Sequence, residues 1–172
     1  MRRETISFMI RNVGMGSEYP VTVQSMTNTD SHDVEATLAQ VEQLAQLGAA
    51  LVRVAAPDMD AVPALAAVAK QSSVPIIADV HFDYKIAIAC LEQGVDAVRI
   101  NPGNIGGLEQ LGMVVEAAKK HDAAIRIGVN SGSIEKEFLE KYAIHVQKRW
   151  LKVLKSMCPI VSPWASRRLF CP

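Results

Sequence analysis

The sequence predicts an α/β fold of the TIM (β/α)8 type, present as an incomplete barrel of about five of the eight βα units. Three observations carry that prediction. Short β-branched runs alternate with segments of helical period across residues 20–141. Each run carries polar side chains near its C-terminal end, where barrel enzymes build their sites. No G-x-G-x-x-G follows the first run, which removes the main argument for the competing doubly wound dinucleotide fold.

The runs are "PVTVQSM", "ALVRVAAP", "VPIIADVHF", "DAVRINPG" and "AAIRIGVN", and each reads as a buried parallel strand. Between the first two, "DVEATLAQVEQLAQLG" lines Val34, Leu38, Val41, Leu44 and Ala45 along one helical stripe. Asp33 marks its N-cap region and Gly48 its C-terminal stop. "DMDAVPALAAVAKQ", "DYKIAIACLEQG" (stopping at Gly94) and "GLEQLGMVVEAAKKH" supply three further helices. Strand plus helix thus recurs roughly every 25 residues, the signature of successive βα units. An inward apolar layer is expected from Val23, Val54, Ile77, Ile100 and Ile127 or their strand neighbours. Residues 1–19 are read as an N-terminal segment capping the barrel, 20–145 as the partial barrel, and 146–172 as a divergent basic tail.

Composition narrows the class. The 172 residues are 49% hydrophobic and 21% charged with 18 basic and 18 acidic side chains, which suits one soluble domain. No apolar run reaches the ~18 residues of a membrane span. The opening "MRRETISFMIRN" holds no continuous apolar stretch of signal-peptide kind. Three cysteines without paired spacing argue against a disulfide scaffold, so a cytoplasmic location is expected, with no membrane or nucleic-acid partner. Net neutrality hides a break: from Val146 onward lie six of the 18 basic residues and no acidic one, leaving residues 1–145 at −6.

The polar residues within the strands point to chemistry. Residues two apart share a face of a strand. Arg99 and Asn101 share one, as do Asp79 and His81, and Arg126, Gly128 and Asn130, while Arg53 holds the matching place in "VRVAAP". The first strand ends in Gln24, Ser25, Thr27 and Asn28. Taken singly, an in-strand arginine is most often half of a structural ion pair, and Asp79 is available to neutralise one of the three. Three arginines at matching positions favour a phosphate or diphosphate site instead, because the guanidinium fork suits bidentate binding of phosphate oxygens.

Five ordered motifs, "PVTVQSMTNTDSHDVEAT", "LVRVAAP", "ADVHFDYKIA", "VRINPGNIG" and "IRIGVNSGSIEKEFLEKY", together resemble the 4-hydroxy-3-methylbut-2-enyl diphosphate synthase family of the non-mevalonate isoprenoid pathway. The resemblance runs from about Arg11 to Tyr142. It implies a barrel binding 2-C-methyl-D-erythritol 2,4-cyclodiphosphate, which the family opens reductively with two electrons. These pass through a [4Fe-4S] cluster from flavodoxin or ferredoxin, in an enzyme expected to be a homodimer. On the matching motifs, Arg53, Arg99, Arg126 and Asn130 would hold the diphosphate, with Asp79, His81 and Asn101 around the substrate. No catalytic residue is assigned.

The chain departs from that family in its later part. Strands six to eight and the cluster-binding C-terminal domain are not recognisable. The spacing of Cys158 and Cys171 matches no cluster motif. Cys90 sits in an apolar helical stripe and reads as a core thiol. The tail from Val146 reads as an interruption of the family sequence, as a frameshift would produce. The alternative is a basic amphipathic helix carrying Trp150, Leu151, Leu154 and Met157. The chain alone is expected to be inactive and self-associating, with its first and fifth strands as open edges. Beside the reductive enzyme stand a non-catalytic anion-binding module and, last, another phosphate-binding barrel such as a pterin-synthase relative.

Overall fold

Aliphatic residues at alternating positions build a parallel sheet whose two faces meet different partners. The structure, a computed structural model of the chain, describes residues 4–128 and 169–170. Its order is β1 (Phe8–Ile10), β2 (Val13–Met15), β3 (Gln24–Met26), α1 (Val34–Gln46), β4 (Leu51–Ala56), α2 (Val62–Gln71), β5 (Ile76–Val80), α3 (Tyr84–Glu92), β6 (Ala97–Ile100), α4 (Leu108–Lys120), β7 (Ala124–Ile127) and β8 (Leu169–Phe170). Strands β3 to β8 pair in sequence order, all parallel, and β1 pairs with β2 alone as an antiparallel hairpin. Among the described residues the sheet is not closed. It is a barrel wall with β3 at one edge and the two-residue β8 at the other.

The helices start and stop where the side chains dictate. Asp33 accepts a hydrogen bond from the Ala36 amide at the N-terminus of α1, and Asp83 does the same for Lys85 at α3. Gly48 and Gly94 follow α1 and α3 in the left-handed region, at φ +95° and +87°, where a side chain would be strained. Helix α2 begins later than the pattern starting at Asp58. Its orphan amide at Ala61 is instead satisfied by the Asp58 carboxylate at 2.9 Å.

Two apolar layers result. Val52, Val54, Ala56, Ile76, Ala78, Val80, Val98, Ile100, Ile125 and Ile127 face the helices and pack on Val41, Leu65, Val68, Leu91, Leu111 and Val115. The opposite face buries Leu51, Ile77, Ala97 and Ala124 against Ile10, with Phe8, Val13 and Met15 from the hairpin. This corrects the expected inward layer. Val54, Ile100 and Ile127 look outward to the helices, Val23 is exposed, and only Ile77 points inward. The reason is alternation: Arg53, Arg99 and Arg126 occupy the inward positions, so their neighbours cannot.

The hairpin lies under the N-terminal ends of the strands and is held there by Arg11. Its guanidinium forks onto the Asp96 carboxylate at 2.8 and 2.7 Å and donates to the carbonyls of Ala69, Ser72 and Val74. Arg11 itself sits at φ +50°, uncommon for a residue with a side chain, and these partners over-determine it. A second correction concerns the far edge. The fifth parallel strand, β7, is not open, because the backbone of Leu169 and Phe170 pairs with Ile125 and Arg126.

Candidate functional site

Above the apolar floor, the inward face of the sheet turns polar within one or two residues. The register sets Asp79, Arg99 and Arg126 side by side on β5, β6 and β7. Arg53 pairs with Ile77, so it sits one inward position lower than the other two arginines. The matching place assigned to it from sequence is therefore corrected by two residues, since Ala55 is the true counterpart of Asp79. Arg53 still reaches the same carboxylate, because a long stem lets its guanidinium climb past Ala55.

Asp79 is the hub. It is 2% exposed, takes Arg53 Nε on one oxygen at 3.1 Å and Arg99 Nη1 on the other at 3.2 Å, and has His81 Nε2 at 3.9 Å. One buried carboxylate thus meets two guanidinia and an imidazole, so the cluster carries excess positive charge. The arginines are not sealed in: Arg53 is 26% and Arg99 16% exposed, and His81 is 47% exposed. Arg53 also rests Nε and Nη2 on the Met26 sulfur. Arg126 reaches across the concave face to the Gln24 side-chain carbonyl on β3. That contact between the first and fifth parallel strands shows how far the wall has curled.

Of the expected site residues, the structure brings Arg53, Asp79, His81 and Arg99 into one cluster, with Arg126 beside it. Asn101 stands buried just past β6, and its side-chain Oδ1 accepts from the Gly103 amide at 3.2 Å, which fixes the turn after the strand. Asn130 lies outside the described residues, as do Cys158, Cys171 and the tail segment around Trp150.

Sequence reasoning passed over a second polar group on the same rim. His32, in the loop after β3, contacts Asp30 at 2.7 Å and Asp58, in the loop after β4, at 3.0 Å. Side-chain hydrogen bonds to Asp30 and Asp58 raise the imidazole's pKa; the His32 amide, and then its ring, lower that of Asp30, and the ring lowers that of Asp58. The D-x-H spacing was visible, but Asp58 joins it only through the pairing of β3 with β4. A third tie, Glu42 on α1, accepts from the hydroxyl and amide of Ser73, and these bonds lower its pKa.

The donor set for an iron–sulfur cluster can be judged on Cys90. That thiol is fully buried on α3, and burial pushes its pKa up to about 12. No group of three or more His, Cys, Asp or Glu among the described residues is arranged to hold a metal ion. The described residues therefore do not fit a cluster. No helix among them is long and apolar enough to cross a membrane.

Fold and site together define a βα-barrel domain whose polar site occupies the C-terminal strand ends. The chain belongs to the GcpE TIM-barrel domain family, whose model matches residues 5–162. Among its relatives, the 4-hydroxy-3-methylbut-2-en-1-yl diphosphate synthase (flavodoxin) of Desulfotalea psychrophila is 54% identical over 141 residues, covering 82% of this chain and 39% of that protein. The enzyme of the same name from Lawsonia intracellularis is 51% identical over 142 residues, covering 83% and 40%. The chain spans about 40% of the length of the curated relatives it matches. Among solved structures, the 7,8-dihydropteroate synthase of Vibrio fischeri superposes with a TM-score of 0.68 at 11% identity, over 96% of this chain and 66% of that one. The dihydropteroate synthase of Yersinia pestis gives 0.64 at 13%, over 95% and 62%. At such identities these two likenesses establish the barrel fold alone.

Proposed function

We propose that this chain is the diphosphate-binding part of an enzyme barrel that acts on 2-C-methyl-D-erythritol 2,4-cyclodiphosphate. The whole enzyme opens that ring reductively to 4-hydroxy-3-methylbut-2-enyl diphosphate in isoprenoid biosynthesis. One observation carries the reading. The guanidinia of Arg53 and Arg99 and the imidazole of His81 gather around a single buried carboxylate on the inward face, beside Arg126. Such a cluster has more positive charge than Asp79 can satisfy, and its remaining N–H donors suit phosphate oxygens. Asn101, just past β6, and the sequence-assigned Asn130 complete the proposed set as amide donors.

The two electrons belong to groups outside the described residues, because Cys90, the one cysteine among the described residues, is sealed in the core, whereas a [4Fe-4S] cluster needs several ligands. A [4Fe-4S] cluster, a flavodoxin or ferredoxin donor, a homodimeric assembly and a cytoplasmic location are part of the proposal for the whole enzyme. The flavodoxin reading leans on the name its relatives bear.

Calorimetric titration of the chain with inorganic pyrophosphate tests the site. Arg99→Ala and Arg126→Ala should each weaken binding by about 1.5–3 kcal/mol, the range for charge-assisted hydrogen bonds. Lys120→Ala, on the exposed end of α4, should leave it unchanged. Equal and negligible effects from all three would make the arginines structural.

A further inference from the structure

Gly128 follows β7 on the same inward face as Arg126, and its amide continues the ladder by donating to the Ile100 carbonyl at 2.9 Å. Its φ lies outside the left-handed region that requires glycine, so the backbone there would accept alanine. Space is what excludes it. A Cβ at residue 128 would stand 2.6 Å from Cζ of Arg99 and closer still to Nε and Nη2. Ordinary carbon contacts lie at about 3.5–4.0 Å. The Arg99 guanidinium therefore lies in the volume a side chain at 128 would fill, while Nη1 holds Asp79 from the other side. Asp79 on β5 and Gly128 just past β7 together fix where that guanidinium points.

From this we infer that Gly128 is a positioning residue for the anion site: its missing side chain lets Arg99 lie flat between β5 and β7 with its donors aimed into the concave face. The inference rests on the anion reading above and adds a residue that acts only through Arg99. The clash falls on the flexible end of a side chain, so the fold tolerates a methyl group by letting the guanidinium swing away. What is lost is its aim.

The test is a double-mutant cycle on the 172-residue chain, read by pyrophosphate titration and by urea unfolding. Gly128→Ala should weaken pyrophosphate binding by on the order of ten- to a hundredfold, the loss expected when Arg99 no longer makes its charge-assisted hydrogen bonds, and should lower the urea midpoint no further than Arg99→Ala does. In the Arg99→Ala background the same substitution should cost no further affinity. Equal losses in both backgrounds, or no loss in either, would overturn the positioning role while leaving the anion site standing. A wild-type chain that takes up no pyrophosphate would overturn the anion reading, and the positioning role with it. If Gly128→Ala does not fold, Arg99→Ala/Gly128→Ala decides: folding like Arg99→Ala supports the steric account, and failure to fold refutes it.

Discussion

Replacing Asp79 with asparagine removes one charge and almost no volume, and the structure sets what that should cost. The carboxylate is 2% exposed and pairs with Arg53 and Arg99 at 3.1 and 3.2 Å. A charge pair at such contact is worth about 4 kcal/mol at an effective dielectric of 20. Desolvating the carboxylate returns several kcal/mol of that gain. Asparagine keeps one acceptor oxygen, and both guanidinia have some access to water, so their loss is incomplete. The net destabilisation should be about 2–4 kcal/mol, a little below the roughly 3–5 kcal/mol for breaking a fully buried pair. Urea unfolding at pH 7 and fixed protein concentration reads it as a midpoint lowered by about 1–2 M, given a slope of about 2 kcal/mol per M. Saturating pyrophosphate should recover part of the loss, because the anion replaces the missing countercharge and binds only the folded chain. A loss below about 0.5 kcal/mol, typical of an exposed pair, would refute the hub. Pyrophosphate stabilising the wild type more than the variant would show that Asp79 organises the ligand rather than competing with it.

Three further outcomes are expected. Arg11→Ala should lower stability by about 2–4 kcal/mol, since it removes the cation from the part-buried Asp96 carboxylate, left with the Ile76 amide, and a donor from the Ala69, Ser72 and Val74 carbonyls; an unchanged urea midpoint would show that the hairpin is not pinned by this residue. The His32 ring protons, followed by NMR, should titrate above the ordinary histidine range, and Asp30→Asn should bring the midpoint down. In sign, the pairing stabilises below the unfolded histidine pKa of about 6.5 and is lost as pH rises through the raised folded value. The lowered Asp30 and Asp58 values remove it again as pH falls through them. A titration at or below the ordinary value would sink the clasp. The Cys90 peptide should escape alkylation at pH 8 until the chain is unfolded, because its thiol is buried and raised to about 12; ready modification of the folded chain would contradict the buried assignment.

The parallel strands were legible because each is an aliphatic run bounded by turn residues, and the caps were legible because Asp33 and Gly48 are the residue types those positions require. The site was legible as far as strand alternation reaches, which put Arg99 with Asn101 and Asp79 with His81 on shared faces. Alternation says nothing about stagger between strands, and so it misplaced Arg53 by one inward position and left Val54 on the wrong side. The β1–β2 hairpin escaped notice because its strands are three residues each and Arg11–Asn12 lacks the glycine that usually announces such a turn. The partners that stabilise this turn lie 58 to 85 residues further along, beyond any local pattern.

That separation has a consequence for biosynthesis. At 5–20 residues per second on the ribosome, Asp96 follows Arg11 by roughly 4 to 17 seconds. A lone two-stranded hairpin is marginal in water, so this segment waits without its anchor while β3 to β5 and three helices are still being synthesised. The lower end of the barrel is thus stoppered late, by a segment made well before the strands it closes. The stretch between Arg11 and Asp96 is also where a translating chain is most exposed to capture by chaperones or proteases.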